Sequence, residues 1–220
     1  MLVTNFQAQV FATNCWILAT GRGQECIVVD PGMPNVSEQL SEKLAEFDLK
    51  PVAILVTHGH LDHTFSVQPL CDGYEIPAMI HSEDRELLLH PERAHGAEFM
   101  KQLQEINWME PKEVVELKDG DKFEMVGLSF KVIHAPGHTK GSIMFAIDDQ
   151  VLISGDVLFA GSIGRTDLPG GSWSQMQRSL REKVLPLPDL MQVLPGHGPE
   201  TSIGRERKYN QFLIEISNEK

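Results

Sequence analysis

Thr57-His58-Gly59-His60-Leu61-Asp62-His63 places three imidazoles and a carboxylate within six positions, directly after the apolar run Val52-Ala53-Ile54-Leu55-Val56. Imidazole and carboxylate ligate zinc and similar divalent metals, and ligands two positions apart can converge where a strand turns into a loop. A core histidine is satisfied by one partner, whereas four such groups in succession require a cation. Three further segments have the form of an apolar strand followed by a candidate ligand: Val132-Ile133-His134-Ala135-Pro136-Gly137-His138, Val151-Leu152-Ile153-Ser154-Gly155-Asp156 and Met191-Gln192-Val193-Leu194-Pro195-Gly196-His197. Gly137, Gly155 and Gly196 let the chain turn sharply beside these ligands. The candidates are therefore His58, His60, Asp62, His63, His138, Asp156 and His197. They outnumber the three protein ligands and one water of a single catalytic zinc and suit two metals with a carboxylate between them.

Such a site needs strand ends aimed at a common point. Alternation predicts strands at 2–11, 14–20, 25–30, 52–57, 114–117, 123–134, 142–147, 150–154 and 190–194. Asn35-Val36-Ser37-Glu38 offers a capping box, followed by Val36, Leu40, Leu44 and Phe47 at helical spacing. Residues 83–106 read as two helix-like stretches broken near Pro91. Ser172 to Leu185 reads as a capped helix with Trp173, Met176, Leu180 and Val184 inward, and 202–214 as a closing helix. Helices after strand groups in both halves predict an α/β fold, two sheets between layers of helices.

Composition bounds the partners. A chain of 220 residues is long enough for one well-filled core. A net charge of −12 and a pI near 5.1 argue against nucleic acid, which selects basic surfaces. No apolar run approaches the ~20 residues of a membrane span. The N-terminal stretch Leu2 to Phe11 lacks a basic region and cleavage site and reads as a first strand, so a cytoplasmic location is expected. Cys15, Cys26 and Cys71, an odd number at no metal-like spacing, are expected as buried free thiols.

The ordered motifs, from Asn14-Cys15 and Val29-Asp30-Pro31-Gly32 to Pro195-Gly196-His197-Gly198, resemble the metallo-β-lactamase superfamily over the whole length. Within it, Ala135-Pro136-Gly137-His138-Thr139 and Ser154-Gly155-Asp156-Val157-Leu158-Phe159 look like the glyoxalase II (hydroxyacylglutathione hydrolase) group. The resemblance implies a four-layer αββα sandwich. It implies one metal held by His58, His60 and His138, a second held by Asp62, His63 and His197, and Asp156 as the bridge. With 23 residues after His197, residues 1–220 are expected to form a single domain without the separate C-terminal helical region of glyoxalase II. Zinc is the first expectation for two divalent ions in a cysteine-free site, and iron or manganese also suits nitrogen and oxygen ligands.

A water shared by two such ions loses a proton near neutral pH and becomes a nucleophile, and an ion can stabilise the tetrahedral oxyanion. Asp62 would both ligate and orient the attacking hydroxide. A thiolate leaves without a protonated acid, so thioesters such as S-lactoylglutathione suit the site, and a small acyl-thiol is the expected partner. In glyoxalase II the loop matching Gly161 to Gly171 supplies a basic residue and, two positions on, a tyrosine, which grip the glycyl carboxylate of glutathione. Arg165 falls on the basic position and is the candidate substrate contact. Asp167 falls where the aromatic is expected and offers Arg165 an ordinary ion pair instead. His90, His95, Phe99, Trp108 and Met109 are candidate liners whose default role is packing, and Asn14, His81 and His134 read as structural. Two alternatives stand beside the thioesterase. One is an iron-dependent persulfide dioxygenase with His58, His138 and Asp156 as its facial triad, whose loop Gly164-Arg165-Thr166-Asp167 also resembles. The other is a lactonase or phosphodiesterase.

Overall fold

The computed structural model describes residues 1–33, 36–95, 101, 103 and 106–218. Asn35 of the expected capping box, Phe99, and most of the second helix-like stretch before residue 106 lie outside them. The first sheet runs β1 (Leu2–Gln7), β2 (Asn14–Ala19), β3 (Glu25–Val29), β4 (Lys50–Leu55), β5 (Ala78–His81) and β6 (Val114–Leu117) in that spatial order. The second runs β12 (Thr201–Ser202), β11 (Gln192–Pro195), β10 (Val151–Gly155), β9 (Ile143–Ile147), β8 (Leu128–His134) and β7 (Lys122–Met125). Helices α1 (Val36–Phe47) and α3 (Val67–Tyr74) flank the first sheet, with α2 (Leu61–Thr64) and α4 (Ser82–Arg85) as single turns. Helices α5 (Trp173–Ser179), α6 (Ile203–Tyr209) and α7 (Gln211–Asn218) flank the second.

The two-residue period of a strand assigns each side chain to a layer. Cys15, Ile17 and Ala19 of β2 join Val36, Leu40 and Leu44 of α1 and Val67 and Leu70 of α3. The intervening Trp16 and Leu18 point the other way, onto Phe130, Val132, Ile143 and Phe145 of the second sheet. The opposite face of that sheet, Met144, Ala146, Leu152 and Val193, packs against Met176, Leu180, Leu213 and Ile216. Helix, sheet, sheet and helix thus form the four layers of an αββα sandwich. All three cysteines are buried and free. No described helix is long and apolar enough to cross a membrane.

Several expected elements are divided or shortened. The strand read at 2–11 stops at Gln7, because Phe11 and Ala12 adopt positive φ and carry the chain around a loop. The strand read at 123–134 is a hairpin whose turn residues, Val126 and Gly127, have φ of 49° and 73°, the signs of a type I′ turn. The closing helix breaks at Asn210, whose extended backbone lets its amide donate to Ser162 O at 3.0 Å while its Oδ1 accepts from Phe212 N at 3.1 Å. After Ser179 the helix that carries α5 widens into a π turn, Leu180–Val184, with Leu185 N donating to Leu180 O. Trp173, expected inward, is 43% exposed, and Leu190 at the expected start of β11 is 95% exposed.

Strands β8 and β10 both run antiparallel to β9, and β10 runs parallel to β11, so β8, β10 and β11 end on the same edge. The end of β4 meets them there: Ile143 N donates to Thr57 O at 2.9 Å. Gly155 sits at φ +48°, and a Cβ on it would stand 2.5 Å from Thr57 Oγ1, so any other residue would push the two sheets apart at this edge. From β2, Asn14 Nδ2 and Trp16 Nε1 both donate to Pro195 O, at 3.0 and 2.9 Å. Asn14 therefore has the structural role expected of it.

Asp84 fastens two of the loops at this edge. Its buried carboxylate accepts from Gly59 N at 2.8 Å, Gly141 N at 2.7 Å and Thr139 Oγ1 at 2.6 Å. Burial pushes its carboxyl up, against these three bonds that favour the charge. Removing the acceptor leaves buried donors unpaired, so Asp84→Ala is expected to cost about 3 kcal/mol. That lowers the melting temperature by about 10 °C, read by thermal denaturation; an unchanged melting curve would contradict this role.

Candidate metal centre

The loop after β4 carries His58 and His60, and the single turn α2 presents Asp62 and His63 on one side. His138 comes from the loop after β8, Asp156 follows β10, and His197 follows β11. All seven residues meet at the floor of one cleft. Ligand atoms of His58, His60 and His138 lie within 4.8 Å of one another, as do those of His58, His63 and Asp156 and those of Asp62, His63 and His197.

Hydrogen bonds on the far side of four of the rings, all but His60, fix their orientation. His138 Nδ1 is 2.7 Å from Arg165 O, a carbonyl that can only accept, so the proton is on Nδ1 and Nε2 presents a lone pair. Thr57 Oγ1 donates to Asp30 Oδ2 at 2.6 Å and therefore accepts from His58 Nδ1 at 3.1 Å, which leaves His58 Nε2 bare. These two bare nitrogens face each other at 3.1 Å, with His60 Nδ1 2.8 Å from His138 Nε2. The second cluster repeats the pattern. His63 Nδ1 bonds Asp30 Oδ2 at 2.9 Å, His197 Nδ1 bonds Phe11 O at 3.1 Å, and the two Nε2 atoms face each other at 3.2 Å. Asp62 Oδ2 lies 3.1 Å from His197 Nε2 and accepts from Thr13 Oγ1 at 3.2 Å. Asp156 Oδ1 is buried with no hydrogen-bond partner among the described residues, 3.5 Å from His63 Nε2. Facing lone pairs beside an orphaned carboxylate oxygen are electrostatically unfavourable unless a cation or a proton lies between them. The donor set of imidazole nitrogen and carboxylate oxygen fits divalent metal ions.

Without a cation, protons supply the compensation. Burial pushes His58 and His60 well below the ordinary imidazole range, helped by the neighbouring histidines, so both are neutral. Burial also opposes a charge on His63, but Asp62, Asp156 and Asp30 outweigh it and raise the imidazole to about 10. His197 is raised in the same way, by Asp62 and Asp156 against burial. Asp62 is held well below the usual carboxylate range, because His63 and His197 overcome its burial.

The cleft above has a volume of about 490 Å³, and its remaining walls include Phe11, His95, Phe159, Arg165 and Leu168. Arg165 thus stands at the site, but its guanidinium is engaged by Asp167, Nε to Oδ1 at 2.7 Å and Nη2 to Oδ2 at 2.8 Å. Of the other candidate liners among the described residues, only His95 reaches the cleft, its Nε2 accepting from Leu61 N at 2.9 Å. His90 is exposed beside Glu92, while Trp108 and Met109 line a separate cavity of about 150 Å³ behind α2. His81 and His134 stack at 4.0 Å away from the site, in the structural role expected of them. Sequence reasoning missed the shell that holds the rings. Asp30 stood inside the quoted Val29-Asp30-Pro31-Gly32 motif without a role, and Asp84, in a surface-like Ser-Glu-Asp-Arg stretch, gave no signal.

The chain is similar to several known proteins. A hydroxyacylglutathione hydrolase GloC of Haemophilus influenzae is 33% identical over 92% of this chain and 93% of its own length. The crystal structure of BLEG-1 B3 metallo-beta-lactamase is 34% identical and superposes with a TM-score of 0.84, over 96% of this chain and 99% of that one. That of TTHA1623 in a di-iron-bound form is also 34% identical, with a TM-score of 0.78 over 96% of this chain and 100% of that one. The metallo-beta-lactamase superfamily model matches residues 8–197. The chain belongs to the metallo-β-lactamase superfamily.

Proposed function

We propose that the protein is a dinuclear metal-dependent thioester hydrolase that cleaves a small acyl-thiol such as S-lactoylglutathione into a carboxylate and a free thiol. The observation that carries this reading is the convergence of bare imidazole nitrogens and carboxylate oxygens at the floor of an open, partly apolar cleft. His58, His60 and His138 would hold one ion, Asp62, His63 and His197 the other, with Asp156 between them. Ions so held supply an activated water and polarise the carbonyl. Thr13 and His197 fix the carboxylate of Asp62 at the mouth of the second cluster, where it can orient the water. Phe11, Phe159 and Leu168 form an apolar wall for a bound substrate to cover. The thiolate needs no acid to depart, which suits a cleft dominated by metal-type ligands. The likeness to the GloC hydrolase supports the same reaction class. Zinc is the working choice of metal, and the di-iron form of a relative makes iron the leading alternative.

Zinc-loaded protein is expected to release thiol from S-lactoylglutathione in anaerobic buffer and to stop when a chelator is added. His58→Ala or Asp156→Ala should lower kcat/KM by more than about a hundredfold while the fold, checked by circular dichroism, persists. Full activity in either variant would sink the dinuclear reading.

Ligation should also displace protons. His63 stays charged below about pH 10 in metal-free protein, and a metal requires it neutral. Zinc added at pH 7.5 in weak buffer is therefore expected to acidify the solution, read with an indicator dye. No proton release would mean that His63 is not a ligand.

A persulfide dioxygenase is the second reading. It is favoured by two histidines and one carboxylate in contact, with His138 Nε2 3.1 Å from His58 Nε2 and 3.5 Å from Asp156 Oδ2. Iron-loaded protein given glutathione persulfide is expected to consume no oxygen above background, and brisk uptake in an oxygen electrode would favour this reading over hydrolysis.

A further inference from the structure

The cleft over the metal-type cluster is lined on one side by Phe11, Phe159 and Leu168 and carries a single cationic side chain, Arg165, among its described lining residues. The backbone of Arg165 is fixed, since its carbonyl receives His138 Nδ1 at 2.7 Å. Its side-on face is taken by Asp167, two residues on, whose two carboxylate oxygens accept from Nε and Nη2 at 2.7 and 2.8 Å. This is the same two-point geometry with which a guanidinium would grip a substrate carboxylate. The Arg165 guanidinium in turn holds the Asp167 carboxyl down at about 2, so Asp167 is ionised throughout the neutral range.

We propose that Asp167 is a selectivity residue: it fills the two-point site of Arg165 at the mouth of the cleft, and so turns the enzyme away from thiol carriers that end in a carboxylate and toward acyl-thiols whose carriers are uncharged and partly apolar. The inference rests on the thioesterase reading and deepens it by naming the class of carrier. A terminal carboxylate must displace Asp167 to use the face it holds, and on either face of the guanidinium it lies beside that charge. An uncharged carrier meets neither obstacle and covers Phe11, Phe159 and Leu168. The Arg165 and Asp167 side chains are 60% and 68% exposed, so solvent screens the effect and the selectivity is moderate, about fivefold. The same exposure means that substitution at Asp167 leaves the fold intact.

The test compares kcat/KM for S-lactoylglutathione and for its glycyl monoethyl ester, which removes the terminal charge and adds an ethyl group; Asp167→Asn separates the two effects. The wild-type protein is expected to prefer the ester about fivefold, mainly through KM. Asp167→Asn should bring that ratio to one or below, by lowering KM for the free acid. Arg165→Ala, which uncovers Asp167, should keep or enlarge the preference for the ester. Equal use of the two thioesters by the wild-type protein, or an unchanged ratio in Asp167→Asn, overturns the inference and leaves the thioesterase reading standing. Failure to release thiol from either compound overturns the thioesterase reading and the carrier selectivity with it.

Discussion

Imidazole nitrogens facing one another at 2.8 to 3.2 Å are the constraint around which this protein is built. Left to itself, each ring would turn its lone pair toward water or a donor. Four cannot, because each is tied on its far edge: His58 to Thr57, His63 to Asp30, His138 to the Arg165 carbonyl and His197 to the Phe11 carbonyl. These outer partners set both ring orientation and tautomer, the condition for a centre that binds cations without rearranging. The cost of holding like-polarity atoms together is offset by the apolar layers beneath them, where Trp16, Phe130 and Phe145 are almost wholly buried.

Asp30 shows how few residues suffice. It occupies a left-handed backbone position at φ 51°. From there its two oxygens receive Thr57 N at 2.8 Å, Thr57 Oγ1 at 2.6 Å and His63 Nδ1 at 2.9 Å. One carboxylate therefore governs the exit of β4 and, through Thr57 and His63, a ring in each half of the cluster. Asp84 acts similarly on the opposite flank, joining the His58-Gly59-His60 loop to the loop of His138 and Thr139.

The cluster of candidate ligands was legible in the sequence because its chemistry is local. Histidine and aspartate gather in one heptapeptide, and each of the three later candidates follows an apolar strand and a glycine. The layers were legible too, since the near-continuous apolar runs of β2 and β4 suit strands buried on both faces. Element ends were less so. A strand pattern from 123 to 134 continues through Val126 and Gly127, and only the left-handed backbone there reveals the hairpin. The closing helix pattern runs through Asn210, whose break depends on a carbonyl 48 positions away. Asp84 was invisible for that reason too: its partner Thr139 lies 55 positions along the chain. The Arg165–Asp167 pair was foreseen as a possibility because its partners are neighbours, and proximity along the chain is what a sequence records.

The two donors that reach Pro195 O have a mechanical meaning. Trp16 belongs to the first sheet, while Pro195 ends a strand of the second, two residues before His197. Asn14, next to the same edge, adds a second tether to that carbonyl and a third to Gly198 O at 2.8 Å. Face-to-face sheets otherwise meet through side chains that can slide past one another with little directional resistance. Here any shear of one sheet across the other must stretch bonds anchored on both sides of His197. Shear between the sheets is thereby coupled to the backbone on both sides of a single imidazole.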